Sequence, residues 1–271
     1  GCMIARSPTP ARWAGVFLTA QGITQLAFAA VMPLTLMVTY GANGGFVGMA
    51  LTAAIALVAA VALPPSMADL PAADKPRLTV LVSLSSILVL TSVFLIAAFS
   101  IGLFVYLAPL SLQAGLTSGQ MGLVISIVLG SSILGSAAAA VIPKLPYYPI
   151  FVACMVVNAA VLAVLWTLPG FAVTCAAAAV FGFTWLFFLP YQLPMAVEVD
   201  PTRQIAVVLG GAQLLGGGAG PFFCSFFVTD ADARGSLMVV GGCFVIAFVI
   251  STILHFRRSM AHKASAPILA H

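Results

Sequence analysis

Long apolar runs, broken by turns that hold nearly all the charge, constrain this chain more than any other feature. A helix needs about 20 apolar residues to cross the hydrocarbon of a bilayer, and the 271 residues leave room for eight such spans joined by short connections. The composition leaves these runs no other home. With 62% hydrophobic and 6% charged residues, against about 25% charged in soluble domains, the chain has too little polar surface to cover one apolar core. The expected fold class is all-α: a polytopic membrane protein of about eight transmembrane helices, with the lipid bilayer as a partner.

The spans follow from the punctuation. The first runs from Arg12 to Val38, entered through Ser7-Pro8-Thr9-Pro10, where a Thr before a Pro suits an N-cap and first helical position. A glycine-rich turn at Tyr40–Gly45 leads to the second span, Phe46 to Leu63, which Pro64-Pro65 stops. Residues 66–78 form the longest polar stretch and the one plausible linker. A third run, Thr79 to Leu110, exceeds one straight crossing and calls for tilt or a bend near Gly102 or Pro109. Thr117-Ser118-Gly119-Gln120 has the spacing of a capping box and opens a fourth span that ends at Ile142. The remaining spans are expected at Tyr147–Leu168, Phe171–Val197, Arg203–Thr229 and Ser236–Phe256.

Charge placement checks this partition. With the N-terminus in the cytoplasm and sides alternating, Arg6, Arg12, Lys75, Arg77, Lys144, Arg203, Arg257, Arg258 and Lys263 fall inside and Arg234 alone falls outside. That is a strong positive-inside pattern. It also accounts for the net charge of +4 without nucleic acid, because the basic residues form no stripe. Cys2, Cys154, Cys175, Cys224 and Cys243 show no metal or redox spacing. The chain opens on Gly1, and Gly-Cys-Met-Ile-Ala has the character of the tail of an earlier apolar helix. We expect it to be the C-terminal portion of a longer protein.

The stretch from Val180 to Cys224 is the most informative. An aromatic run meets Pro190 and Pro194, turns through Glu198-Val199-Asp200-Pro201-Thr202-Arg203, and enters a second apolar run with one central amide, Gln213. Shifting the first span by 192 residues lays it over this second run: Ala14 meets Ala206, Val16 meets Val208, Ala20 meets Ala212 and Gln21 meets Gln213. Ala and Val matches are common in apolar sequence. The paired glutamines are not, because an amide in hydrocarbon needs a partner. The second span maps onto the eighth by the same shift, which suggests two six-helix halves.

In this arrangement, and in the turns SPTPARWAG and VDPTRQIAV, the chain resembles the major facilitator superfamily. The resemblance implies that residues 1–63 are the end of an N-terminal half (the tail of its fourth helix, then the fifth and sixth). Residues 64–78 would be the cytoplasmic linker, and 79–271 the C-terminal six-helix half with a short cytoplasmic tail. It implies a secondary transporter in the inner membrane, both ends of this chain cytoplasmic, moving a small-molecule solute by alternating access. The glycine-proline pattern of drug–proton antiporters is missing from residues 20–33, AQGITQLAFAAVMP, which argues against that subfamily.

The chemical inventory of the spans is short. All six acids sit in loops or at helix ends, and His255, His262 and His271 lie near or in the C-terminal tail. No catalytic set, metal cluster or phosphate loop can be assembled at membrane depth, so the chain reads as a non-enzyme without cofactors. Since the spans offer no carboxylate, either the group that takes a coupling proton lies in the missing helices or the full protein moves its solute by facilitated diffusion. An eight-span scaffold or assembly protein is the alternative reading, and an intramembrane enzyme a more distant one.

Gln21 and Gln25 share a helix face, and Gln213 lies at the equivalent depth. They either line a solute cavity or act as glue between helices. Phe181, Trp185, Phe188 and Gln192 recur at helical spacing and suit either an aromatic cavity wall or ordinary packing. The family resemblance adds Ser100 and Phe104, on what would be the seventh helix. Gly130, Gly135, Gly216, Gly220 and Pro221 read as sites of close crossing and bending, and Asn158 as packing. Glu198, Asp200 and Arg203 make a cytoplasmic turn, as a latch or more simply with Asp200 as a helix cap.

Overall fold

The computed structural model describes residues 10–41, 43–61, 83–142, 146–200 and 204–265. Among these there are helices and no strands: α1 (Pro10–Leu34), α2 (Leu36–Tyr40), α3 (Asn43–Val61), α4 (Leu84–Gln113), α5 (Ser118–Val141), α6 (Tyr147–Trp166), α7 (Phe171–Phe188), α8 (Gln192–Val199), α9 (Gln204–Ser225) and α10 (Gly235–Ser265). Five stretches are long and apolar enough to cross a membrane: Leu84–Gln113, Ser118–Val141, Tyr147–Trp166, Phe171–Val197 and Gly235–Arg257. The chain is an all-α, multi-pass membrane protein.

Local chemistry sets the helix ends. Ser83 caps α4 by accepting from the Ser86 N–H at 3.2 Å. At the other end Gly115, at φ +82°, takes the left-handed position that lets the Leu116 N–H turn back to the Ser111 carbonyl, 3.1 Å. At α5 the Thr117 hydroxyl accepts from the Gln120 N–H at 3.3 Å, and the Gln120 side chain accepts from the Thr117 N–H at 3.0 Å. Both arms of the capping box are present.

Two expected spans are interrupted. The first breaks at Thr35, two residues past Pro33, which has no N–H to give the preceding turn. The sixth, expected at Phe171–Val197, is divided by a 3₁₀ turn at Leu189–Tyr191 that contains Pro190. The third span is one rod of 30 residues with Pro109 inside it, about 45 Å long at 1.5 Å per residue. The proposed N-cap at Thr9 and the linker 64–78 lie outside the described residues.

With α7 and α8 counted together, the six helical units after residue 83 pair in a pattern that survives an exchange of halves. Take α4, α5, α6 as one set and α7–α8, α9, α10 as the other. α4 packs on α9 as α7 packs on α5, α4 on α10 as α7 on α6, and α4 meets α5 as α8 meets α9, while α6 meets α10. The α9–α10 contact has no equally developed counterpart between α5 and α6.

The two main crossings are built alike at the residue level. A Cβ on Gly135 of α5 would overlap the Phe183 carbonyl of α7, and a Cβ on Gly216 of α9 would overlap the Phe94 carbonyl of α4. Gly182 against Val128 and Gly220 against Ala98 close the same crossings further along. Gly130 does not share this role: nothing described lies within 4 Å of a Cβ there. Buried hydroxyls tie α4 to α10, with Ser92 and Ser251 2.7 Å apart.

Candidate functional site

α1 lies outside the α4–α10 unit and docks on it. Gly15 meets α5 so closely that a Cβ would sit 2.8 Å from the Ala140 nitrogen, and the Thr19 hydroxyl donates to the Ser136 hydroxyl at 3.0 Å. On its other side α1 approaches the 3₁₀ turn and α8. Between them opens a groove of about 160 Å³ lined by Ala14, Phe17 and Leu18 of α1, Leu189, Pro190 and Leu193 at the break, and Ala206, Leu209, Gly210 and Gln213 of α9. A dry apolar cavity of about 150 Å³ holds a molecule the size of benzene.

One polar feature marks this groove. The Gln213 Nε2 donates to Gln192 Oε1 at 2.8 Å. Gln192 follows directly on the 3₁₀ turn and is 0% exposed. Its own Nε2 has no hydrogen-bond partner among the described residues. An open polar group of this kind costs about 1–3 kcal/mol where it stays unsatisfied. Tyr191, the last residue of the turn, donates its hydroxyl to the Ile142 carbonyl at the end of α5. The break is therefore pinned from two sides.

The other expected cavity residues distribute differently. Gln21 and Gln25 are exposed on α1, and neither meets Gln213, whose partner is Gln192. Trp185 sits between Phe104 and Phe181, with ring centroids 5.7 Å away in each case. Phe181 touches Phe99 at 6.1 Å. Phe188 is buried against Phe151 of α6 at 5.2 Å, so it faces the inside of the bundle and belongs to packing. Ser100 is buried in α4. The aromatic set thus joins α4, α6 and α7, and of the expected cavity residues Gln213 is the one that lines the groove.

The remaining polar side chains hold helices in place. Asn158 Nδ2 donates to the Cys154 carbonyl at 2.8 Å and to the Thr184 hydroxyl at 2.9 Å, linking α6 to α7. Pro221 lies within α9, and its carbonyl accepts from the Tyr106 hydroxyl at 3.4 Å. In the turn before α9, Asp200 is buried and its Oδ2 accepts from the Ile205 N–H at 2.9 Å, satisfying a donor of the first turn. Arg203 and the Glu198 side chain lie outside the described residues. Among the described residues no three His, Cys, Asp or Glu side chains come together as a metal site would require.

Sequence reasoning missed a network at the opposite end of the bundle. Gln113, the last residue of α4, donates through Nε2 to Asp232 Oδ1 at 2.9 Å and accepts from the Ala233 N–H at 2.8 Å. Asp232 takes both Nε and Nη2 of Arg234, at 3.0 Å each. Arg234 also lies over the Trp166 ring, 5.8 Å from its centroid. The Arg234 guanidinium, followed by the Gln113 amide, holds the Asp232 carboxyl well below the usual carboxylate range. No sequence signal announces the tie to α4, because Gln113 stands more than a hundred residues from Asp232 and Ala233.

No protein-family model matches this chain, and a search of curated proteins finds no matching sequence.

Proposed function

We propose that the chain is part of a secondary transporter of the major facilitator type, moving a small solute by rocking one half against the other. The observation that carries the reading is the exchange-symmetric pairing of α4–α6 with α7–α10, down to the matched crossings Gly135 on Phe183 and Gly216 on Phe94. Inverted three-helix repeats nested within a six-helix half are characteristic of that architecture. The 192-residue shift adds a second level of repetition, relating α1 to α9.

On this reading α1 is a helix of the other half, and the groove between it and α9 lies on the boundary where the halves move. The charge bias supports a topology with both ends of this chain in the cytoplasm of an inner-membrane protein. The groove is lined by no described carboxylate or histidine, so on this reading either proton coupling uses groups elsewhere or the solute moves by facilitated diffusion.

A flux assay tests the reading. The gene product, expressed with whatever sequence precedes Gly1, is reconstituted into proteoliposomes and offered a panel of labelled neutral and charged small solutes. Saturable flux of at least one solute is expected. In Gln213→Leu that flux falls about tenfold, the factor for about 1.4 kcal/mol, with expression held. Leak-level flux for every solute would overturn the proposal.

A further inference from the structure

The end of the bundle opposite the Asp232–Arg234 network carries a patch that the transport reading leaves unused. There the start of α6 meets the last part of α10. Tyr148 stacks flat on His255, with ring centroids 3.8 Å apart and planes 2° from parallel. The Tyr148 hydroxyl donates to the Thr252 hydroxyl at 3.4 Å. Tyr147 and Phe256 meet the same imidazole edge-on, at 6.3 Å and 5.7 Å. Aromatic rings with a polar tip gather where hydrocarbon gives way to headgroups. The position fits, because the apolar, membrane-length part of α10 ends at Arg257, and the stack stands at that rim.

α10 does not stop there. It continues as helix to Ser265, and residues 258–265 add about 12 Å at about 1.5 Å per residue. Arg257 is exposed, and Arg258 and Lys263 follow on the extension. Helical spacing puts position 263 on the same face as Thr252 and Phe256, the face that meets Tyr148. Neither α6 nor α10 contains an Asp or Glu. Of the helices packed on them, α4, α7, α8 and α9, one carries an acid, Glu198 of α8. Three fixed cations against one acid leave this end of the bundle positive.

We propose that the surface where α10 leaves the membrane beside α6 binds the headgroup of an anionic phospholipid. Arg257, Arg258 and Lys263 answer the phosphate, and the Tyr148–His255 stack lies against the boundary between headgroup and acyl chain. Charge complementarity selects the lipid: a phosphatidylglycerol headgroup carries a net negative charge, whereas phosphatidylcholine is neutral overall. A bilayer also presents its phosphates at the depth where the aromatic rim gives way to the cations, which a soluble anion does not. Each basic side chain near an anionic surface strengthens association about fivefold, the factor for about 1 kcal/mol.

Photolabelling of the full chain in lipid nanodiscs tests this, with headgroup-photoactivatable phosphatidylglycerol and phosphatidylcholine as probes and the labelled segments mapped by mass spectrometry. Phosphatidylglycerol is expected to label residues 147–151 and 252–265 at least fivefold more than phosphatidylcholine does. In the triple variant Arg257→Gln, Arg258→Gln, Lys263→Gln that excess is expected to vanish. Arg12→Gln, which removes an exposed cation from α1, is expected to keep it. Equal labelling by the two lipids in the unmodified protein would overturn the proposal, whether or not the triple variant folds. So would an excess that survives in the folded triple variant, or a loss in Arg12→Gln as large as the triple variant shows. Displacement of the label by excess inorganic phosphate would also overturn it, by making the patch a site for a soluble anion. The nanodisc offers the same lipids on both faces, so these outcomes stand apart from the transport reading.

Discussion

At the scale of single residues, the glycines divide into those that hold the bundle and those that do not. A methyl group at Gly135 or Gly216 would collide with a carbonyl on the facing helix. Overpacking of this kind costs about 1–3 kcal/mol. Gly135→Ala and Gly216→Ala are therefore each expected to lower the thermal unfolding temperature in detergent, by similar amounts. Gly130 faces no described atom within 4 Å, and Gly130→Ala is expected to be neutral or to gain up to about 1 kcal/mol from helix propensity. Equal effects of all three would contradict the crossing geometry. In the sequence these glycines look alike, since small residues at helical spacing announce a crossing without naming the partner. The amides were legible in the same limited way. Gln213 drew attention as a polar group in hydrocarbon and as the repeat equivalent of Gln21, which is exposed on α1, but its hydrogen-bond partner Gln192, placed after the proline break, was not announced by the repeat.

At the scale of elements, helix positions were the most legible feature, because an apolar run of span length can do little else in a bilayer. Their interruptions were less so. Pro190 was visible, yet Pro109 and Pro221 lie inside continuous helices, and sequence alone does not say which proline a neighbouring helix will tolerate. The loop between α9 and α10 shows the same limit. Its Asp232–Arg234–Gln113 network ties that loop to the end of α4. Gln113→Ala is expected to raise amide hydrogen exchange at residues 228–236 at least threefold without changing exchange in α5. Asp232 has a folded pKa held below its unfolded value, so its contribution is complete above the unfolded value of about 3.9 and is lost as pH falls through the folded one. Exchange corrected for its intrinsic pH dependence should thus be flat from pH 8 to pH 5. Loosening within that range would show that the carboxylate is not the anchor.

At the scale of the whole molecule, the central claim is that α4–α10 form one six-helix half with internal exchange symmetry, and that α1 belongs to another body docked against it. The 192-residue shift hinted at this through α1 and α9. The three-helix repeat within the half was not legible, because matched backbone crossings leave no shared side-chain identities beyond the glycines. Alternating access would keep distances inside the half fixed while changing those between α1 and α9. The most direct measurement places spin labels at Val16 and Leu214, exposed on α1 and α9, with Leu134 on α5 and Leu214 as the internal control. Pulsed electron–electron double resonance on the full-length protein in nanodiscs is expected to show two distance populations for Val16–Leu214, whose ratio shifts with a transported solute, and one fixed population for Leu134–Leu214. A single narrow Val16–Leu214 distance, unmoved by any transported solute, would contradict the account.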